Sequence, residues 1–197
     1  MSTGRSLAAA LSLIAGLAAV PSGAARADKA TMGLISAGAA FLAYSAVFDR
    51  TEGEEPDSIS LGTGLSDPID REHTAGMFQV EYRPALWGLR TGPVAGLAAT
   101  LDSRFIAYAG LRHDILFAER VLASFNFSMA AYRIEGHTDE VRGLPQFRTG
   151  FDFQYKLPGG SKLGVALQHY SNAEVFEKSN PGTETLTFTF TMPLSLF

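Results

Sequence analysis

The stretch FRTGFDFQYKL, residues 147–157, decides how the rest of the chain is read. Its odd positions are Phe147, Thr149, Phe151, Phe153, Tyr155 and Leu157; its even positions are Arg148, Gly150, Asp152, Gln154 and Lys156. A period of two is that of a β-strand, whose successive side chains point to opposite faces. One face of this strand is aromatic and the other carries ions and amides. The same split recurs in MFQVEYR (77–83), FIAYAGLRHDILF (105–117) and VLASFNFSMAAY (121–132). In TLTFTFTMPL (185–194), four threonines oppose Leu186, Phe188, Phe190 and Met192.

Eight segments carry this pattern: 58–66, 75–84, 92–102, 105–117, 121–134, 146–157, 161–173 and 184–196. An even number of ~10-residue antiparallel segments is the pattern of an outer-membrane barrel. The expected fold is all-β, an eight-stranded antiparallel transmembrane β-barrel over residues 58–197. Its bulky residues face lipid, and Arg148, Asp152, Glu81 and Arg112 pair inside a narrow, side-chain-filled lumen. Closure is required because an open sheet edge cannot be satisfied in hydrocarbon. A soluble sandwich or lipocalin-like barrel would turn the bulky face inward. Charges that recur on the small-residue face, and too many Phe for a small lumen, oppose it.

The chain of 197 residues carries a net charge of −4 and no Cys. Disulfides and thiolate metal sites are therefore excluded, and the mild acidity points to no nucleic-acid partner. Residues 1–27 read as a secretory signal peptide. Arg5 supplies the positive charge, LAAALSLIAGLAAV (7–20) the apolar core, and Ala25-Arg26-Ala27 the cleavage site. That core is shorter than the ~20 residues of a spanning helix. Residues 28–57 hold a second apolar run, ATMGLISAGAAFLAYSAVF (30–48), and the acidic linker TEGEEPD (51–57). The run is about long enough to span a membrane yet rich in Ala and Gly. A periplasmic helix, an extension lying on the barrel and part of a long leader all fit it.

Candidate chemistry lies in HYSNAEVFEKSNPGTE (169–184). His169 and Ser171 share parity with Leu163, Val165 and Leu167, the lipid-facing set of their strand. Glu184 shares parity with Leu186, Phe188, Phe190 and Met192 on the next strand. Three polar residues thus interrupt one apolar outer face on adjacent strands. That placement is costly unless they bond to one another or sit at the interfacial rim. With the N-terminus periplasmic, residues 174–183 form an external loop, and the three residues converge at the level of the outer leaflet. A serine hydroxyl becomes a nucleophile when an imidazole takes its proton and a carboxylate orients that imidazole. Asn180, Asn172 and the Gly182 backbone N–H are candidate donors for a developing oxyanion.

LGVALQHYSNA (163–173) followed by NPGTETLTFTFTMP (180–193) resembles the signature of the lipid A 3-O-deacylases, the PagL-like outer-membrane hydrolases. QFRTGFDFQY (146–155), and SISLGTGLSD (58–67) with FQVEYRP (78–84), resemble other strands of that family. The resemblance spans roughly residues 58–197 and is specific over 163–192. It implies an eight-stranded barrel that removes the ester-linked acyl chain at position 3 of lipid A. It implies Ser171 as nucleophile, His169 as base, Glu184 as the group that orients it, and Asn180 as an oxyanion-stabilising residue, with Asn172 matching the motif's other Asn. It implies no metal and no organic cofactor. The expected partners are lipid A or lipopolysaccharide and the surrounding outer-membrane lipids, with a homodimer compatible; the expected location is the bacterial outer membrane. The alternative is a non-enzymatic small barrel, structural or adhesive, that does not depend on His169, Ser171 or Glu184. A soluble lipid carrier is a third class.

Overall fold

The computed structural model describes residues 29–48, 55–69, 74–85, 90–134, 146–172 and 182–196. The proposed signal peptide and Asn180 lie outside them. A helix, α1 (Lys29–Phe48), precedes eight strands: β1 (Ser58–Ser66), β2 (Ala75–Arg83), β3 (Thr91–Thr100), β4 (Arg104–Ala118), β5 (Val121–Ile134), β6 (Gln146–Lys156), β7 (Lys162–Ser171) and β8 (Thr183–Pro193). A short 3-10 turn, Leu194–Leu196, follows. Each strand pairs antiparallel with the next, and β8 pairs back onto β1, from Ser58↔Pro193 to Ser66↔Thr185, so the barrel is closed. Closure leaves no strand edge without a hydrogen-bonding partner. The strand boundaries fall within two residues of those read from the alternation, except where β8 gives way to the 3-10 turn.

The two faces separate as the alternation requires. Phe78, Val80 and Tyr82 on β2 and Leu186, Phe188 and Phe190 on β8 are exposed on the outside. Gln79, Glu81 and Arg83, and the threonines from Thr183 to Thr191, are buried. The β6–β7 hairpin turns through Gly159 and Gly160, both at positive φ (90° and 88°), where a residue with a Cβ is strained.

The lumen is filled by ions that satisfy one another. Arg148 donates to Glu81 Oε2 at 3.2 Å, to Asn126 Oδ1 at 2.9 Å and to the Tyr170 hydroxyl at 3.1 Å. Its guanidinium stacks 4.1 Å from the centroid of the Tyr108 ring. Tyr108 donates in turn to Glu81 at 2.9 Å. Tyr108 fits only because Gly96 faces it: a Cβ there would lie 2.4 Å from its hydroxyl. Arg83 pairs with both Glu81, at 2.5 Å, and Asp152. Arg112 pairs with Asp114 rather than with the central cluster. Buried charges persist only when paired, and each charge named here has an ion-pair partner.

At the β6–β7 hairpin end of the barrel, the buried Glu55 accepts from Lys156 and, at 2.6 Å, from Lys162. Burial alone would raise the Glu55 pKa; the two ammonium groups outweigh that and hold it below the ordinary value.

Helix α1 lies on the outside of the barrel. Its buried edge is Gly38, Leu42 and Ser45, spaced as one helical stripe. Phe41 meets Phe151 of β6 edge-on, with ring centroids 5.7 Å apart, and His113 of β4 at 6.2 Å. Gly38 sits over Phe125 of β5 so closely that a Cβ would fall 2.4 Å from that ring. The Ala- and Gly-rich composition of the run is what permits this approach. His113 points outward by parity, and both its ring nitrogens find partners: Ser45 Oγ at 2.6 Å and Thr91 Oγ1 at 2.8 Å. Among the described residues, no helix is long and apolar enough to cross a membrane. Residues 30–48 thus form a helix packed against the outer wall of the barrel.

Candidate active site

β7 is paired without interruption to β6, from Phe147↔Ser171 to Lys156↔Lys162, and to β8, from Lys162↔Thr191 to Tyr170↔Thr183. No bulge breaks its alternation, so His169 and Ser171 keep the parity of Leu163, Val165 and Leu167 and belong to the outward set. His169 stands between Thr149 on β6 and Glu184 on β8 in one row across the sheet. Its Nδ1 is 2.9 Å from Glu184 Oε1. The imidazole and carboxylate that the sequence places on adjacent strands therefore meet.

The burial of this row departs from an open rim. Leu163, Val165 and Leu167 are exposed, but His169 and Ser171, on the same face, are 1% and 2% exposed. The Glu184 side chain is 12% exposed. Gly182 supplies part of the cover. Its φ is +82°, and a Cβ on it would lie 2.5 Å from His169 Cε1 and 2.8 Å from Nε2. The chain entering β8 thus folds its backbone across the edge of the imidazole, which only glycine allows.

Alternate residues of β7 anchor the strand from within. Gln168 donates to Asp152 at 2.8 Å, and Tyr170 is held by Arg148. Tyr170 is fully buried, and so is Asn172, just past the strand end. His169 and Ser171 therefore project from a backbone whose inward neighbours Gln168 and Tyr170 are held in the lumen network.

Sequence reasoning passed over Thr149. It is an outward residue by parity, 3% exposed and directly opposite His169. A signal existed: Thr149 is the one small polar residue among Phe147, Phe151, Phe153 and Tyr155. The test that found His169, Ser171 and Glu184, a polar break in an apolar face, finds it too.

With Nδ1 facing a carboxylate, a neutral imidazole carries its proton there, and Nε2 is then the ring nitrogen with an acceptor lone pair. A hydroxyl presented to Nε2 would be activated for attack on a carbonyl.

Residues 44–193 match the family model described as lipid A 3-O-deacylase (PagL). Among solved structures, the chain is similar to the crystal structure of the outer membrane enzyme PagL, with a TM-score of 0.53 and 14% identity over 70% of this chain and 99% of that one. It is also similar to the Yersinia pestis outer membrane protein Ail, with a TM-score of 0.44 and 13% identity over 70% of this chain and 100% of that one. No curated protein matches the sequence.

Proposed function

The chain belongs to the lipid A 3-O-deacylase (PagL) family, and on that premise we propose that it hydrolyses the 3-O-linked acyl ester of lipid A with Ser171, His169 and Glu184. The observation that carries the reading is the 2.9 Å contact between His169 Nδ1 and Glu184 on the outward face of the barrel. A structural imidazole has little reason to interrupt a lipid-facing strand beside a carboxylate, because polar groups there are expensive.

The steps follow from that geometry. Ser171 Oγ attacks the ester carbonyl carbon, and its proton passes to His169 Nε2. Glu184 holds the Nδ1–H and stabilises the imidazolium. The tetrahedral oxyanion takes hydrogen bonds from donors near the loop, for which Asn172, Asn180 and the Gly182 N–H are the candidates. Collapse breaks the bond to the sugar oxygen, which leaves with the proton from His169, and an acyl-enzyme remains. Water, deprotonated by His169, then releases the fatty acid and restores Ser171. Export by residues 1–27 and residence in the outer membrane belong to the same reading, since the substrate is a lipid of the outer leaflet.

The test is mass spectrometry of lipid A from cells that express the wild type or Ser171→Ala. Loss of one acyl chain in the wild type, abolished in the variant, supports the proposal. The same loss in both would refute the role of Ser171.

A further inference from the structure

On the hydrolase reading, the scissile ester lies at the His169 row and its acyl chain continues along the barrel wall below. The next outward row, two residues back along β7, holds Phe125, Phe151, Leu167 and Leu186 in register across β5 to β8. At ~3.3 Å per residue that row is only about 7 Å from the imidazole. Its members are not equivalent. Leu167 and Leu186 are 40% and 41% exposed, whereas Phe125 is 1% exposed because α1 lies on it. Phe151 stands directly opposite Leu167 and is braced from behind by Phe41 of the helix. The outer wall below the site is therefore open on the β7–β8 side and obstructed on the β5–β6 side.

We propose that α1 selects the acyl chain: with Phe151 it walls one side of the path that the scissile chain follows over Leu167 and Leu186. This deepens the hydrolase reading and rests on it. A saturated chain leaving the ester finds apolar side chains beneath it and an aromatic wall beside it, so contact grows with each methylene until the chain runs beyond the wall. The helix does this without touching the reacting atoms. Phe41 is thus a specificity-determining residue, and Gly38 sets how closely the wall approaches.

The experiment compares purified wild type, Phe41→Ala and Gly38→Val in detergent micelles. The substrates are two defined lipid A preparations that carry a decanoyl or a palmitoyl chain at the 3-O position. Phe41→Ala removes the brace; Gly38→Val drives a side chain into the Phe125 ring and lifts the helix. The expected result is a ratio of initial rates on the two substrates that shifts by about tenfold in both variants, the scale on which methylene contacts discriminate. Folding is read from the heat-dependent shift in gel mobility of the barrel. If Phe41→Ala does not fold, Phe41→Leu and Gly38→Val carry the same comparison.

A wild type with equal rates on both chains, or variants that keep the wild-type ratio, overturns the selector and leaves the hydrolase reading intact. A wild type that cleaves neither ester sinks the hydrolase reading, and the selector falls with it.

Discussion

Glu184→Gln isolates the charge on the carboxylate from its shape. The glutamine oxygen can still accept from His169 Nδ1, so the imidazole keeps its orientation; what disappears is the negative charge beside the imidazolium that the proposed mechanism forms in its transition state. Nδ1 and Glu184 Oε1 are 2.9 Å apart, which places the charge centres roughly 4 Å apart. At an effective dielectric constant near 20 this interaction is about 4 kcal/mol. A loss of that size slows the reaction by about a thousandfold. The Glu184 side chain is 12% exposed, so water recovers part of the loss, and a fall in kcat of about a hundred- to a thousandfold is expected. The assay follows release of fatty acid from lipid A in mixed micelles, with gel mobility to show that the barrel is folded. A folded Glu184→Gln enzyme within about threefold of wild type would refute the reasoning, because the carboxylate would then supply less than 1 kcal/mol.

Gly182→Ala forces a Cβ into a left-handed residue and onto the imidazole; we expect a folded barrel with activity reduced at least about tenfold, since misplacing a reacting group by about 1 Å is costly. Full activity of this variant would show that the imidazole does not need its present position. Arg148→Ala leaves Glu81 short of a partner deep in the lumen and should lower unfolding stability in urea by about 3–5 kcal/mol, the range for breaking a buried pair. Unchanged stability would mean that the network contributes little beyond filling space. Glu55 titrates below its ordinary value, because Lys162 and Lys156 outweigh the effect of burial. The stability it adds is therefore present above the usual glutamate range and is lost as pH falls through the lowered value. Glu55→Gln should unfold more readily than wild type at neutral pH, with the difference shrinking in acid; a difference that grows in acid would reverse the assignment.

The sequence by itself determined which residues face lipid and which face the lumen. Alternation is a local property of a strand, so Phe153 and Asp152 could be assigned to opposite faces without knowing their neighbours. The same parity put His169, Ser171 and Glu184 on one outer face, and the motif around them carried the family. The partners across the lumen were another matter. Arg83 meets Asp152 from a position 69 residues away, and Arg112 turns to Asp114. Only the register of a closed barrel decides a pair such as Arg83 and Asp152, because closure fixes which inward-facing side chains of distant strands share a level. The cover over His169 was equally out of reach. It depends on the left-handed turn at Gly182 and on where the chain re-enters β8. The Ala- and Gly-rich run 30–48 showed no preference among the places it might go; its seat on Phe125 and Phe151 comes from the shape of the wall it packs against. Periodicity is written into consecutive residues, but contact between distant ones exists only once the cylinder has closed.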